Sequence, residues 1–279
     1  MSDTSIIEFN PKSHRYKRTD TGTYIPSVTT VLGLLNKPML VYWAANCAGA
    51  AIVSRMEEWV EGFDSVPFEE IEEAILGVAK SAHRTVSDDA KEVGNLLHAS
   101  VAHALLGGEE REHQAHMDNI EASMAYDAFL EWMDTTTFER IVGVEQMLVM
   151  PDYSYVGTVD LIAVDEDGKA WIYDFKTTSR SDSNPLACYP EYLFQVAAYW
   201  RMAQHANADL SWGGAAVISC GKDGQYAETI LPVELLDEYA DAFELMVKFY
   251  PHMRASEKFL RDANKIEKQR IAALVEEEV

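Results

Sequence analysis

The sequence predicts an α/β core that follows a helical N-terminal half. Three observations predict this fold class. Apolar residues recur at helical spacing from about residue 40 to residue 135. The period then changes to that of strands across residues 140–178, where Val, Ile, Tyr and Trp are frequent. After residue 190, a helix, two further strands and a closing helix complete the pattern.

The first 40 residues are mixed in character. The stretch "HRYKRTDTGTYIPSVTTVLGLL" predicts a short hairpin around residues 20–23, followed by a helix that Pro26 and Ser27 cap. The segment also contains the densest basic cluster of the first half of the chain, made up of Lys12, His14, Arg15, Lys17 and Arg18. This N-terminal basic cluster has two interpretations, a solvated loop or a phosphate contact, and the sequence favours neither.

The remaining helices and strands follow from periodicity. In the N-terminal half, the predicted helices are "VYWAANCAGAAIVSRMEEWV", "FEEIEEAILGVAKSAHRTVSDDAKEVGNLLHASVAHALL" and "DNIEASMAYDAFLEWMD". In the core, the predicted strands are "RIVGVEQMLVM", "YVGTVDLIAV", "KAWIYDFK", "WGGAAVISCG" and "YAETILPV". A helix is predicted between the third and fourth of these strands, a closing helix after the fifth, and then a charged amphipathic tail helix that packs on the body or reaches toward a partner.

The composition argues against several classes of protein. The three cysteines, Cys47, Cys188 and Cys220, are isolated, so they predict neither a disulfide framework nor a zinc or iron–sulfur site. The N-terminus lacks an apolar signal core, and no apolar run approaches the roughly 20 residues that span a bilayer. We therefore expect a soluble cytoplasmic protein, in the host cytoplasm if a phage encodes it. The formal net charge of −23 argues against a general affinity for nucleic acid.

Charged residues interrupt two of the predicted strands. Asp160 lies in one apolar run, and Asp174 and Lys176 lie in the next. If residues 166–168 form a three-residue hairpin loop with Gly168 in the left-handed conformation, Asp160 lies directly across from Asp174, and Lys176 projects from the same face. Two explanations remain open. Lys176 neutralises one aspartate in a partly buried ion pair, or a divalent cation such as Mg²⁺ or Mn²⁺ bridges both carboxylates.

Four further residues are candidates for the same site. Glu145 in "VGVEQML" is either a solvent-facing residue on a half-exposed strand or a third acid directed at the metal. A histidine in such a helix is more often a core or surface residue than a ligand. Gly94, one turn before His98, has no side chain, as a helix that packs closely on a metal-binding sheet would require. Gln195 and Tyr199 lie one turn apart on the helix that follows the strands; core packing explains the tyrosine but not the glutamine.

These motifs resemble those of the PD-(D/E)xK nuclease superfamily, and within it the RecB-type branch, which includes phage-type recombination exonucleases and the mitochondrial genome maintenance exonuclease. The likeness consists of a helical "GNLLH", a glutamate on the next strand, "GTVD", "DFKTTS" and "QVAAY", in this order across about residues 94–200. Val159 stands where the usual proline precedes the first aspartate, and the cysteines cannot hold the four-cysteine cluster of some members. The resemblance implies an α/β restriction-endonuclease-like core with a central mixed β-sheet flanked by helices, plus a helical N-terminal elaboration.

The resemblance also implies a role for each candidate residue. Asp160 and Asp174 would bind the catalytic metals, and His98 would add a ligand. The backbone carbonyl of Phe175 would complete the shell, and Glu145 would bind directly or through a water. Lys176 would orient or help deprotonate the attacking water and stabilise the charge that develops on the phosphate. The predicted DNA contacts are Gln195, Tyr199, Thr177, Thr178, Arg15 and Lys17.

The function implied by the resemblance is a Mg²⁺-dependent (or Mn²⁺-dependent) deoxyribonuclease with one or two ions and no iron–sulfur cluster. The expected activity is that of an exonuclease at DNA ends in phage recombination or DNA processing. A structure-selective endonuclease and a non-catalytic module that binds DNA ends or a partner are the alternatives. The expected domains are an N-terminal segment and helical elaboration (residues 1–93), the nuclease core (94–255) and a C-terminal amphipathic helix (256–279).

The acidic surface leaves two explanations for how DNA is held. One is a narrow basic track from the N-terminal basic cluster and the basic residues of the tail, which are Lys258, Arg261, Lys265, Lys268 and Arg270. The other is delivery by a partner, such as a single-strand annealing protein or another DNA-binding protein. A strong fall in activity with salt would support the first explanation.

Overall fold

A small antiparallel sheet opens the chain in the computed structural model, which describes residues 4–277 except 12, 14, 36, 38, 63–67, 108–117 and 180–183. After a 3₁₀ turn at Thr4–Ile6, its strands are β1 (Ile7–Asn10), β2 (Arg15–Arg18) and β3 (Tyr24–Ile25), in that spatial order. The turn between β2 and β3 is the predicted hairpin, and Gly22 within it has a φ of 71°. Lys12 and His14 of the N-terminal basic cluster lie outside the described residues.

Four helices follow the small sheet: α1 (Val28–Leu32), α2 (Met39–Gly62), α3 (Phe68–Leu105) and α4 (Ile120–Thr135). The predicted cap is confirmed, because the Ser27 hydroxyl accepts a hydrogen bond from the Thr30 N–H at the start of α1. Asn119 caps α4 in the same way through the Ala122 N–H. The predicted helical N-terminal half is therefore present.

A five-stranded sheet forms the centre of the protein. Its strands are β4 (Arg140–Val149), β5 (Val156–Val164), β6 (Ala170–Thr178), β7 (Trp212–Gly221) and β8 (Tyr226–Pro232). Their spatial order follows their order in the sequence, and helix α5 (Pro190–Ala206) joins β6 to β7. Strands β6 and β7 are parallel and the other neighbouring pairs are antiparallel, so the predicted central mixed sheet is confirmed.

Helices cover both faces of this sheet. On one face, α1, α5 and the last helix, α6 (Val233–Glu277), bury apolar side chains such as Val31, Trp200 and Phe243. On the other face, α3 and α4 bury Leu97 and Phe129, among others. Two apolar cores therefore hold the sheet between layers of helices, as expected for an α/β domain whose central strands are buried on both sides.

The last helix differs from the sequence-based expectation of a closing helix followed by a separate tail helix. It runs as one element from Val233 to Glu277, with Pro251 inside it. Proline removes a single backbone donor, and neither a glycine nor another stop signal follows it in "PHMRASEK". The expected domain boundary at residue 255/256 thus falls inside a helix.

Among the described residues, no helix is long and apolar enough to cross a membrane.

Candidate metal centre and active site

Three neighbouring strands bring three acidic residues to one level of the sheet. The β4–β5 pairs Val144–Leu161 and Gln146–Val159 place Glu145 opposite Asp160. The β5–β6 ladder has the predicted register over its four pairs, and the φ of Gly168 in the connecting loop is 74°. Asp160 and Asp174 lie one step beyond the last of these pairs, so the acids of β4, β5 and β6 are side by side.

The Asp160 carboxylate lies where the β5–β6 ladder has ended. Its Oδ2 accepts a hydrogen bond of 2.7 Å from the Phe175 N–H, and its Oδ1 lies 3.4 Å from His98 Nδ1. Burial alone would raise the pKa of Asp160, but the imidazole of His98, the Lys176 ammonium and the Phe175 N–H together lower it. Asp160 is therefore an ionised carboxylate in a buried position, available as a metal ligand.

His98 and Glu145 complete a group of three potential ligands. His98 comes from α3, and its Nδ1 lies 3.6 Å from Glu145 Oε1. One ligand atom from each of His98, Glu145 and Asp160 lies within 4.8 Å of the other two. The charge of Asp160 raises the pKa of His98 to about 10, against the opposing effect of burial and with added hydrogen bonds to both carboxylates. An imidazolium thus balances the two carboxylates, and a bound metal ion would replace its proton.

Asp174 lies outside this group and pairs with Lys176. The Lys176 Nζ is 2.6 Å from Asp174 Oδ2, and Asp174 is fully buried. Burial raises the pKa of Asp174 to about 6, with a further contribution from the charge of Asp160, although the Lys176 ammonium opposes both. Among the described residues, Asp174 Oδ1 has no hydrogen-bond partner. A buried carboxylate oxygen without a donor is costly, and a cation beside it would compensate it.

The donor set fits a hard divalent cation. Two carboxylates and one imidazole converge in the three-residue group, and the unsatisfied Asp174 Oδ1 lies on the neighbouring strand. Oxygen-rich sites of this kind suit Mg²⁺ or Mn²⁺. Phe175 lies between Asp174 and Lys176, and its ring packs at 5.4 Å and 5.3 Å from the rings of Phe129 and Trp132, which anchors this part of β6.

Gln195 and Tyr199 form a buried polar pair on α5. The Gln195 amide donates a hydrogen bond of 2.9 Å to the Tyr199 hydroxyl, and both side chains are almost fully buried. Burial, followed by the charges of Asp174 and Asp160, raises the pKa of Tyr199 well above its ordinary value, so the phenol stays protonated. Hydrogen bonding to Tyr199 explains why a glutamine occupies this helix face.

Tyr199 packs directly on the backbone of Gly157, the glycine of "GTVD". A Cβ added to Gly157 would lie 2.5 Å from Tyr199 Cε1 and 3.2 Å from Val28 Cγ2. Gly94 is different, because a Cβ there would lie 3.6 Å from Thr177 Oγ1, an ordinary contact. The close approach in this region is therefore at Gly157, whereas an alanine fits at position 94.

Replacing these two glycines should have opposite effects. Gly157→Ala is expected to displace Tyr199 and lower the free energy of unfolding by about 1–3 kcal/mol, the usual cost of overpacking. Gly94→Ala, inside α3, is expected to raise it by about 0.5–1 kcal/mol because alanine is the better helix former. Urea unfolding of both variants checks the comparison. Equal stability of the two would contradict the close approach at Gly157.

The other predicted DNA contacts lie in two places. Thr177 is half-buried and Thr178 is buried at the end of β6. Arg15 and Lys17 flank the buried Tyr16 on β2 and so project away from it. The Tyr16 hydroxyl lies 3.2 Å from Thr158 Oγ1, which ties the small sheet to β5 two residues before Asp160.

The predicted residue set did not include Tyr192. Its ring lies 5.4 Å from Lys176 Nζ, within the range of a cation–π contact. Tyr192 is therefore a second contact of the Lys176 ammonium, in addition to Asp174. A sequence signal was present, because residues 192, 195 and 199 recur at helical spacing in "YLFQVAAY" and share one face of α5.

Glu145 has an unusual backbone conformation. Its φ is 47°, in the left-handed region, where a residue with a Cβ is disfavoured by roughly 1–2 kcal/mol. Strain of this kind often accompanies functional positions. We therefore interpret the strain as the cost of directing the Glu145 carboxylate at His98 and Asp160.

Variants of Glu145 can separate this strain from the function of the carboxylate. Glu145→Gly and Glu145→Ala both lose the carboxylate, but only glycine relieves the strain. Glu145→Gly is expected to be more stable than Glu145→Ala by about 1 kcal/mol, while both bind a divalent metal ion tenfold or more weakly than the wild type. Thermal unfolding and a metal titration check this. An alanine variant as stable as the glycine variant would show that position 145 is unstrained.

Comparison with known proteins agrees with this geometry. A family model described as the PD-(D/E)XK nuclease superfamily matches residues 72–273, which is more than half of the chain. The matched range contains all residues of the three-residue group as well as Asp174 and Lys176. A search of curated proteins finds no significant match.

Proposed function

Since the chain belongs to the PD-(D/E)XK nuclease superfamily, we propose that it is a Mg²⁺- or Mn²⁺-dependent exonuclease that hydrolyses phosphodiester bonds at DNA ends. Membership in the family implies a metal-dependent phosphodiesterase with a nucleic acid substrate. The observation that carries the proposal is the convergence of His98, Glu145 and Asp160 next to the buried Asp174–Lys176 pair. A structural ion pair alone would need two opposite charges, whereas five charged or ligating side chains meet here.

The residues of the site have separate tasks in this proposal. His98, Glu145 and Asp160 would hold the metal ion, with Asp174 as a further ligand through Oδ1, which accepts no hydrogen bond from the part of the chain that the structure describes. A bound divalent ion would supply Lewis-acid polarisation of the phosphate and a lower pKa for a bound water. The Phe175 N–H keeps the Asp160 carboxylate oriented through its hydrogen bond of 2.7 Å.

Lys176 would act as a positioned positive charge. Burial would lower its pKa, but the carboxylates of Asp174 and Asp160 outweigh burial and raise it, so the ammonium stays protonated. A protonated Nζ can donate hydrogen bonds to a phosphate oxygen or to the attacking water and can stabilise the charge that develops in the transition state. Asp174 and the Tyr192 ring fix the position of this ammonium.

The finer parts of the proposal rest on the resemblance to the RecB-type branch. The order "GNLLH", glutamate, "GTVD", "DFKTTS", "QVAAY" supports an exonuclease that processes DNA ends in phage recombination or DNA processing. The buried Gln195–Tyr199 pair would support the site from helix α5, close to Asp174. The candidate protein partner is a single-strand annealing protein or another DNA-binding protein.

The test compares end-labelled linear DNA with covalently closed circles of the same sequence, in Mg²⁺, in Mn²⁺ and in chelator. We expect metal-dependent degradation of the linear form and intact circles. Cutting of circles would replace the exonuclease with an endonuclease on the same scaffold. Absence of cleavage of either form in both metals would refute the enzymatic function and leave a module that binds DNA ends or a partner.

A further inference from the structure

The second half of α6 projects from the body of the protein. Every residue from 254 to 273 is exposed, whereas earlier residues of the same helix, such as Leu236 and Phe243, are fully buried. At about 1.5 Å per residue, the exposed stretch is roughly 30 Å long. Among the described residues, this stretch therefore gains no stabilisation from packing, and its surface is available to another molecule.

A basic stripe runs along one face of this exposed helix. Its members recur at alternating spacings of four and three residues, which places them on a single face: Arg254, Lys258, Arg261, Lys265 and Lys268. Three of them, Arg261, Lys265 and Lys268, are successive neighbours on this exposed face. Arg270 of the predicted tail set is not part of the stripe, because it lies on another face and pairs with Glu267 at 2.9 Å.

The charges of the basic stripe are largely uncompensated. Arg254 pairs with Glu257 at 2.6 Å, but no salt bridge to Lys258, Arg261, Lys265 or Lys268 occurs within the described part of the chain. Four ammonium and guanidinium groups about 5 Å apart along the axis thus face solvent. In a protein with a net charge of −23, such a segregation of positive charge on one helix face is a local exception that favours a polyanionic ligand.

Before the basic stripe begins, α6 packs on the end of the sheet where the candidate site opens. The helix begins after the edge strand β8 and crosses the sheet, so that Phe243 packs against Tyr155 with ring centroids 5.1 Å apart. Tyr155 immediately precedes β5, so Phe243 packs at the end of the sheet where β5 begins. This is also the end toward which the β5–β6 ladder has opened around Asp160.

We propose that Lys258, Arg261, Lys265 and Lys268 of α6 bind the sugar-phosphate backbone of the DNA substrate and hold it next to the acidic active site. The inference rests on the proposed nuclease function for the identity of the polyanion. The stripe is a local basic surface on a chain with a net charge of −23. A phosphate backbone presents regularly spaced anions along a line, which matches a linear row of cations on an exposed helix.

The test measures DNA binding by the full-length protein in the Asp160→Asn background with EDTA, where no cleavage occurs. A quadruple variant, K258Q/R261Q/K265Q/K268Q, is compared with a matched control, R55Q/K80Q/R84Q/K91Q, whose four residues are exposed on α2 and α3. Both variants remove four positive charges, so they share the same net charge. The probe is a fluorescent duplex of about 40 base pairs, followed by anisotropy across a series of NaCl concentrations.

We expect the stripe variant to lose about 10²–10³-fold in affinity near 0.1 M salt, and the slope of log K against log salt to become shallower by about 3–4. The control variant should bind as the parent does. A charge-preserving variant, K258R/R261K/K265R/K268R, should restore binding, because the positive charges and not the particular side chains carry the contact. If the helix were needed only for folding, the glutamine variant would not change the salt slope while the charge-preserving variant restored binding.

Other results would overturn the inference. If the stripe variant binds with the parent's affinity and salt slope, the stripe does not hold DNA, and cleavage of linear DNA by the wild-type protein would still support the proposed function. If binding falls but the wild-type protein cleaves no DNA in either metal, the proposed function fails while the surface stands. Loss of self-association in sedimentation velocity, with DNA binding unchanged, would assign this helix to a second copy of the chain.

Discussion

Asp160→Asn is expected to lower the rate of DNA cleavage by about a thousandfold or more while the protein remains folded. Asparagine can still accept the Phe175 N–H with its side-chain oxygen, so the connection between β5 and β6 is retained. It lacks the negative charge that the metal ion and His98 both require. A loss of about 4 kcal/mol of charge stabilisation corresponds to that reduction in rate.

The measurements for this variant are single-turnover cleavage in Mg²⁺ and metal titration by calorimetry. Asp165→Asn is the matched control on the same hairpin. The Asp165 carboxylate accepts hydrogen bonds from the Lys169 N–H, the Asp167 N–H and Trp171 Nε1, far from the three-residue group. We expect Asp165→Asn to lower stability without lowering the rate. An Asp160→Asn protein that keeps more than a tenth of the wild-type rate would refute the metal-site assignment.

Lys176→Met is expected to abolish cleavage and also to destabilise the protein by about 3 kcal/mol at pH 8 in chelator. In the wild type, the Lys176 Nζ lies 2.6 Å from Asp174 Oδ2. Removing the ammonium therefore leaves the fully buried Asp174 carboxylate without its counter-charge. Asp174→Asn should lower stability much less, because the Lys176 ammonium still has the Asp160 carboxylate as a counter-charge. The charge of Asp160 also raises the pKa of Lys176 in the wild type. The double variant Asp174→Asn/Lys176→Met should resemble Asp174→Asn in stability, and all three variants should lose activity by about a hundredfold or more.

The pH dependence of stability gives an independent check on this pair. The pKa of Asp174 is raised to about 6 by burial, so the folded state holds the proton more tightly than the unfolded chain. Its contribution to stability is then present at low pH and is lost as the pH rises through about 6. In Lys176→Met, the pKa of Asp174 should rise further, because the ammonium that lowers it is gone. The loss of stability with pH should therefore extend to higher pH, and the difference in unfolding free energy between this variant and the wild type should be smaller near pH 5. Urea unfolding at pH 5 and pH 8 measures it, and a defect that is constant with pH would contradict the ion pair.

Much of the fold could be predicted from local pattern. The change from helical spacing to strand alternation near residue 140 separates the N-terminal helices from the sheet, since each period follows from backbone geometry alone. The register of the β5–β6 hairpin was predictable for the same reason, because Gly168 can take the left-handed conformation that a short loop needs. The opposition of Asp160 and Asp174 followed from that register.

The continuous α6 and the grouping of the tail charges were harder to predict. Pro251 is a strong sequence signal for the end of a helix, yet α6 passes through it because the residues around it are all compatible with a helix. Lys258, Arg261, Lys265 and Lys268 share one face of the predicted tail helix in either case, and the continuous α6 adds Arg254 to that row. Arg270, which the charge pattern grouped with them, belongs to another face.

The sequence by itself determined the elements, the hairpin register and the identity of the acidic strand residues, because these depend on interactions between residues close in the chain. Only the tertiary structure decided which charges are partners. His98 reaches Glu145 and Asp160 because α3 packs against the sheet, whereas Asp174 pairs with Lys176, whose ammonium also lies over the Tyr192 ring. Electrostatic energy in a buried site depends steeply on distances of a few ångströms, and those distances arise from the packing of elements far apart in the sequence.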